Sequence, residues 1–138
     1  MAEPFRTARR VEFVDTDMAG IVHFSNFFRW MESAEVEFLR SLGLSVKLPW
    51  EGQELGFPRV AAACDYFRPA RFQDVLQITV RVENVGRKSL TYGFEFSRDD
   101  ELIARGRVSC VCCRVLPGNE LESIEIPAGL RARLEAAR

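Results

Sequence analysis

The sequence predicts an α+β fold: one long helix wrapped by a five-stranded antiparallel sheet. Three observations carry that expectation. Residues 22–42 hold the only long helical pattern in the first hundred residues. Three later segments alternate apolar and polar residues with the period of two that a half-buried strand requires. Those segments are joined by tight turns, and strands joined by tight turns run antiparallel.

The elements follow in order. Residues 7–14, Thr-Ala-Arg-Arg-Val-Glu-Phe-Val, read as a first strand. A polar loop from Asp15 ends at Gly20 and feeds the helix. With Phe27 at zero and about 100° per residue, Phe24, Phe28, Trp30, Met31, Ala34, Phe38, Leu39 and Leu42 fill one wide arc. Ser25, Asn26, Arg29, Ser33, Glu37 and Arg40 take the other side, and Gly43 stops the helix. An arc that wide suits a helix partly enclosed by a sheet. Residues 44–57 contain Pro49, Gly52 and Gly56 and read as a connection. Arg59 to Phe67 reads as a strand whose small residues Ala61, Ala62 and Ala63 invite close packing. Leu76, Ile78, Val80 and Val82 alternate with polar partners, as do Leu90, Tyr92, Phe94 and Phe96 across the Gly86-Arg87-Lys88 turn. Asp99-Asp100 makes the next turn, and Leu102 to Val115 alternates again. Pro127 opens a short C-terminal helix carrying Leu130 and Leu134.

Composition narrows the class. The 138 residues are enough for one domain spanning 1–138. A net charge of −1 lacks the basic excess needed to coat nucleic acid or an anionic membrane. No apolar run is long enough to span a bilayer, and residues 1–10 lack the apolar stretch of a secretory signal. A cytoplasmic location is the expectation. The cysteines, Cys64, Cys110, Cys112 and Cys113, form no C-x-x-C pair and lie far in sequence from the single histidine. They read as buried apolar filler, with no metal expected.

The helix start is where the chemistry concentrates. An N-terminal turn presents unpaired backbone N–H groups at the positive end of the helix dipole. Asp17 sits just upstream. Spacing alone leaves two readings: a carboxylate that caps a helix, or one that acts beside an oxyanion-binding helix end.

Phe13-Val-Asp-Thr-Asp17, Ala19-Gly-Ile-Val22 and Ser25-Asn-Phe-Phe-Arg-Trp30 resemble the motif of the 4-hydroxybenzoyl-CoA thioesterase family of hotdog-fold acyl-CoA thioesterases. The later strands and the Gly-Arg-Lys-Ser turn fall in the same order, so the resemblance covers nearly the whole chain. It implies the hotdog fold and hydrolysis of an acyl-CoA thioester, with aromatic, short-chain and medium-chain acyl groups all open. By position, Asp17 matches the catalytic carboxylate, as nucleophile or general base. The backbone N–H of Phe24 matches the donor to the thioester oxygen. Gly20 would let the acyl group approach the backbone. Arg87 and Lys88 match positions that bind the CoA phosphates. No metal or bound cofactor is implied, since coenzyme A arrives with the substrate.

Other groups compete for roles. Asp15 shares the loop. His23 lies beside the helix start as a proton-transfer candidate, although a related branch carries its histidine one residue later, where this chain has Phe24. Glu35, at about 80° on the wheel, falls inside the apolar arc. Glu35 and Glu32 are the candidates if the carboxylate comes from the helix, and otherwise they are rim or ion-paired acids; Glu32 is also expected among the substrate-binding residues with Gly20, Arg87 and Lys88. A non-catalytic acyl-CoA-binding hotdog protein and a hotdog dehydratase are the alternative functions. One helix covers one sheet face and leaves two edges, which predicts a homodimer or a homotetramer built as a dimer of dimers.

Overall fold

The computed structural model describes residues 3–138. Strands β1 (Phe5–Arg10), β4 (Arg59–Tyr66), β5 (Val75–Val85), β6 (Ser89–Arg98) and β7 (Glu101–Val111) form one antiparallel sheet in the order β1-β5-β6-β7-β4. Helix α1 (Ser25–Ser41) lies along its inner face. The expected five-stranded sheet wrapped round one helix is therefore present.

A second, smaller sheet was not expected. Strands β2 (Leu48–Trp50), β3 (Gln53–Gly56), β8 (Cys113–Val115) and β9 (Leu121–Ser123) pair in the order β2-β3-β8-β9. Residues 44–57 are thus more than a connection. Pro49 is tolerated because β2 is an edge strand, and Glu51-Gly52 makes the hairpin turn with both φ angles positive (48° and 81°). Glu-Gly is an unusual pair for such a turn, so composition concealed it. The strand expected over 102–115 divides at Cys112, whose N–H donates to the Lys88 carbonyl at 2.7 Å as the chain changes sheets.

The first strand also moves. It ends at Arg10, and Phe13–Asp15 form a 3-10 turn closed by the Glu12 N–H on Asp15 Oδ2 (2.8 Å) and the Asp15 N–H on the Glu12 carbonyl (3.0 Å). Local side-chain bonding outcompetes the ladder here.

The core matches the alternation. Leu76, Ile78, Val80 and Val82 of β5 and Leu90, Tyr92, Phe94 and Phe96 of β6 are buried against Phe27, Trp30, Met31, Ala34 and Phe38 of α1. Phe27 meets Phe96 edge-to-face at 5.1 Å, and Phe38 meets Tyr92 at 6.1 Å. At Gly106 of β7 a β-carbon would stand 2.1 Å from the Met31 Cε, so the end of the Met31 side chain of α1 packs into the space a larger residue would take. Removing a ring as buried as Phe27 costs about 3–5 kcal/mol, which anchors the start of α1 firmly. Helix α2 (Ala128–Ala136) follows Pro127 as expected and buries Leu130 and Leu134.

Candidate active site

The helix begins three residues later than Val22. Val22 is buried in a bridge to Thr16, and its N–H donates to the Ala70 carbonyl at 2.8 Å, so the segment before α1 is docked on the chain that leads into β5. Asp17 heads a tight loop. Its N–H donates to the Ile21 carbonyl (2.8 Å), and its carbonyl accepts from the Gly20 N–H (3.0 Å). Gly20 has φ +80°, and a β-carbon there would meet nothing within 4 Å. Within the chain, glycine is required by the turn rather than by crowding.

That loop fixes one carboxylate oxygen and leaves the other. Asp17 Oδ1 accepts from the Ala19 N–H at 2.8 Å and the Ile21 N–H at 3.4 Å. Oδ2 accepts nothing among the described residues, and the side chain is half-buried. Such a carboxylate is oriented yet available.

The donors of the first turn divide in the same way. The Ser25 N–H donates to His23 Nδ1 (3.3 Å), the Asn26 N–H to the His23 carbonyl (3.0 Å) and the Phe27 N–H to the Phe24 carbonyl (3.4 Å). The His23 N–H donates to the Asp15 carbonyl (2.9 Å). The Phe24 N–H donates to no acceptor among the described residues. It is the open donor at the positive end of α1.

His23 is engaged at the helix start. Its Nδ1 receives the Ser25 N–H (3.3 Å) and lies 2.8 Å from Ser25 Oγ. The ring stacks on Phe24 at 4.7 Å. No hydrogen bond joins it to Asp17 among the described residues.

Two residues at this end escaped sequence reading. Asn26, expected on the solvent side, is buried, and its Nδ2 donates to the Asp15 carbonyl at 2.8 Å. It ties the loop that carries Asp17 to the first turn of α1. Tyr66, at the end of β4, donates its hydroxyl to the Phe24 carbonyl at 3.0 Å. No periodicity marks either residue; an asparagine in a first turn and a lone aromatic closing an alanine-rich strand are the only traces.

Beside the loop opens a cavity of about 280 Å³ lined by Ile21, Val22, Phe24, Phe27, Tyr66, Phe67, Arg68, Pro69 and Ala70. Its walls are mostly apolar. A larger groove of about 430 Å³ crosses the outer sheet face between Arg6, Gln77, Thr79, Ser97 and Asp99-Asp100. It is polar and holds none of the expected site residues.

The remaining candidates lie elsewhere. Glu35 is only 2% exposed and accepts from Arg59 Nη1 at 2.9 Å, so of the two readings offered for a non-catalytic Glu35 it takes the ion pair. Burial raises its pKa, against the opposing pull of Arg59. Glu32 is exposed, seven residues along α1 from Ser25 and therefore about 10 Å up the helix. Arg87 and Lys88 stand at the other end of β5, which at 11 residues is about 35 Å long. Arg87 pairs with Glu125 at 2.6 Å, and Arg131 Nη2 donates to the carbonyls of Gly86 (2.7 Å) and Arg87 (3.2 Å), holding the turn. Within one chain, Asp17, Gly20, His23 and Phe24 come together; Glu32, Arg87 and Lys88 do not join them. The thiols are core-like. Burial pushes Cys110 up to about 12 and Cys64 and Cys112 up to about 11, so all three stay protonated near neutral pH.

The profile of the thioesterase-like superfamily matches residues 11–134. The chain belongs to the thioesterase-like superfamily. Within it, the chain is 32% identical over 138 residues to the 4-hydroxybenzoyl-CoA thioesterase of Pseudomonas sp. (strain CBS-3), covering 93% of this chain and 95% of that one. It is 28% identical over 136 residues to a 1,4-dihydroxy-2-naphthoyl-CoA hydrolase of Prochlorococcus marinus (strain MIT 9303), covering 94% and 88%. Its fold superposes with a TM-score of 0.82 on a 4-hydroxybenzoyl-CoA thioesterase variant crystallised with 4-hydroxybenzoyl-CoA, at 26% identity and covering 96% and 99% of the two chains. The superfamily and the hotdog fold that the motif implied are thus established, and the superfamily's helix-and-sheet arrangement is the one described above.

Proposed function

We infer that this chain is an acyl-CoA thioester hydrolase whose chemistry is carried by Asp17 at the start of α1. The observation that carries the site is the pairing of an open carboxylate oxygen with an open helix-start N–H: Asp17 Oδ2 and Phe24 N–H lack partners among the described residues, while their neighbours are bonded. The relatives act on acyl-CoA thioesters, which supplies the substrate class.

In this reading the Phe24 N–H polarises the thioester oxygen, and charge building there is held at the positive helix end. Asp17 either takes a proton from the attacking water or adds to the carbonyl itself, forming an anhydride that water then opens. By either route the C–S bond breaks, CoA leaves as the thiol, and one water is consumed. The apolar cavity beside the loop takes the acyl group.

The CoA phosphates are gripped by Arg87 and Lys88 of a second subunit. Strand β4 is a sheet edge whose Val60, Ala61, Ala62 and Ala63 are all exposed, the uncovered template a partner would pair with. Its Tyr66 end touches the Phe24 carbonyl (3.0 Å). Its other end lies beside the basic turn: the Val111 N–H donates to the Pro58 carbonyl (3.1 Å), and Val111 pairs with Ser89. Antiparallel pairing of two β4 strands about a two-fold axis therefore lays each Arg87-Lys88 turn over the other chain's Asp17 site. A homodimer is the minimal working unit, a dimer of dimers its extension, and the cytoplasm its expected location. Among the described residues no helix is long and apolar enough to cross a membrane.

A panel of aryl-, short- and medium-chain acyl-CoA substrates assayed for free thiol tests the activity. Turnover of at least one is expected. Binding of acyl-CoA with no thiol released from any would overturn hydrolysis in favour of a binding protein.

A further inference from the structure

We propose that Tyr66 is a positioning residue for the thioester-oxygen donor, its hydroxyl holding Phe24 so that the Phe24 N–H stays open to substrate. The proposal rests on the hydrolase reading above and adds a residue from a different strand to it.

Helix α1 starts without a side-chain cap on Phe24, which already has helical dihedrals (φ −55°, ψ −31°). Phe24 itself is 61% exposed, so its ring does little to hold the residue in place. Within the helix start its carbonyl accepts the long Phe27 N–H bond (3.4 Å), and a shorter hold comes from outside. The Tyr66 hydroxyl, 42 residues away in sequence, donates to the Phe24 carbonyl at 3.0 Å. The Tyr66 ring is itself placed by the core, meeting Phe27 edge-to-face at 5.2 Å and 72°. The strand therefore grips the carbonyl of the same residue whose N–H would face the substrate. The Phe24 carbonyl and N–H lie in successive peptide planes joined through its φ and ψ (−55° and −31°), so the grip on the carbonyl aligns the N–H by restraining those two torsions.

The hydroxyl is suited to a fixed donor role. Burial, with the nearby Cys64, pushes its pKa up to about 12, so it keeps its proton throughout the neutral and mildly alkaline range. Tyr66 also lines the cavity beside Asp17. Its ring and its hydroxyl thus have separable jobs: the ring is wall, the hydroxyl is brace.

Tyr66→Phe separates them, since the ring stays and only the hydrogen bond is lost. For the hydrolase, kcat should fall about 10-fold, the effect of one misaligned oxyanion donor, while KM stays within about 2-fold. A readout independent of turnover is the carbonyl stretch of bound 4-hydroxybenzoyl-CoA in an Asp17→Asn background. That band should shift to lower frequency on binding, and adding Tyr66→Phe should return it part-way towards its frequency in solution. An unchanged kcat with an unchanged band overturns the proposal, as does the absence of any shift in Asp17→Asn, because the donor then does not touch the thioester. A rise in KM alone, with kcat and band intact, makes Tyr66 a pocket wall and also overturns it. If the parent releases no thiol, the hydrolase reading fails, and the band shift still decides whether Tyr66 aligns Phe24.

Discussion

Asp17 and Glu35 are both carboxylates set against α1, and the fold treats them in opposite ways. Asp17 lies in a loop before the first turn, with one oxygen held by backbone N–H groups and the other unpartnered among the described residues. Glu35 lies in the middle of the helix, 2% exposed and closed by Arg59 at 2.9 Å. A reacting group has to be reached by substrate and still be oriented. A buried ion pair offers orientation without access. The contrast favours the end of the helix, rather than its middle, for the reacting carboxylate proposed above.

The sharpest test of that contrast is Asp17→Asn. The loop should survive, because an asparagine Oδ1 can accept from the Ala19 N–H as Asp17 Oδ1 does (2.8 Å). The charge that attacks or accepts a proton is lost. For an essential nucleophile or base, kcat should fall at least about 100-fold, with KM changing much less. Asp15→Asn and His23→Ala should each cost less. Stopped-assay thiol release and a thermal melt of the same preparation check both halves. A variant that melts normally and turns over normally would move the chemistry away from this loop.

The parts of this arrangement that were readable in sequence are those governed by short-range pattern. Alternation exposed β5, β6 and β7, and helical periodicity exposed α1. What stayed hidden depends on contacts across long separations. The β2–β3 hairpin turns on Glu51-Gly52 rather than a familiar turn pair, and it is stable because β3 joins β8, about sixty residues on. Asn26 looks solvent-facing on a helical wheel, yet the Asp15 loop folds over it and buries it. Tyr66 acquires meaning only once β4 ends beside Phe24. Asp17 and Phe24 were nominated by the motif; the reason they are open while their neighbours are bonded is a property of the folded loop.

The comparison extends to the far end of the molecule, where Arg87 and Lys88 sit about the length of β5 from Asp17. If the partner's turn serves the site, Arg87→Ala with Lys88→Ala should raise KM about 10-fold, the loss of charge-assisted phosphate bonds, and spare kcat. Subunit mixing sharpens this. A heterodimer of that double variant with Asp17→Asn contains one site with Asp17 and both basic residues, provided they come from different chains. Recovery of the parental KM in the mixture is expected. A mixture no better than the sum of its parts would place the basic turn and Asp17 in the same chain's site, or in none.

The smallest expected effect on activity is that of Glu35→Gln, and here the informative readout is stability. Burial raises the Glu35 pKa above its ordinary value of 4.5, and the pull of Arg59 only partly offsets this. The folded chain therefore holds this proton to higher pH than the unfolded chain does. By linkage, the stability contributed by the protonated carboxyl is complete below 4.5 and is lost as pH rises through the folded value. Glutamine keeps an acceptor for Arg59 and cannot ionise, so it abolishes that loss. The stability of Glu35→Gln relative to the parent should increase as pH rises above 4.5 and then level off, measured as urea midpoints at a series of pH values. Its kcat should stay within about 3-fold of the parent, under about 1 kcal/mol of transition-state stabilisation. A Glu35→Gln variant that is dead while Asp17→Asn turns over would reverse the contrast between the two carboxylates and place the chemistry at mid-helix.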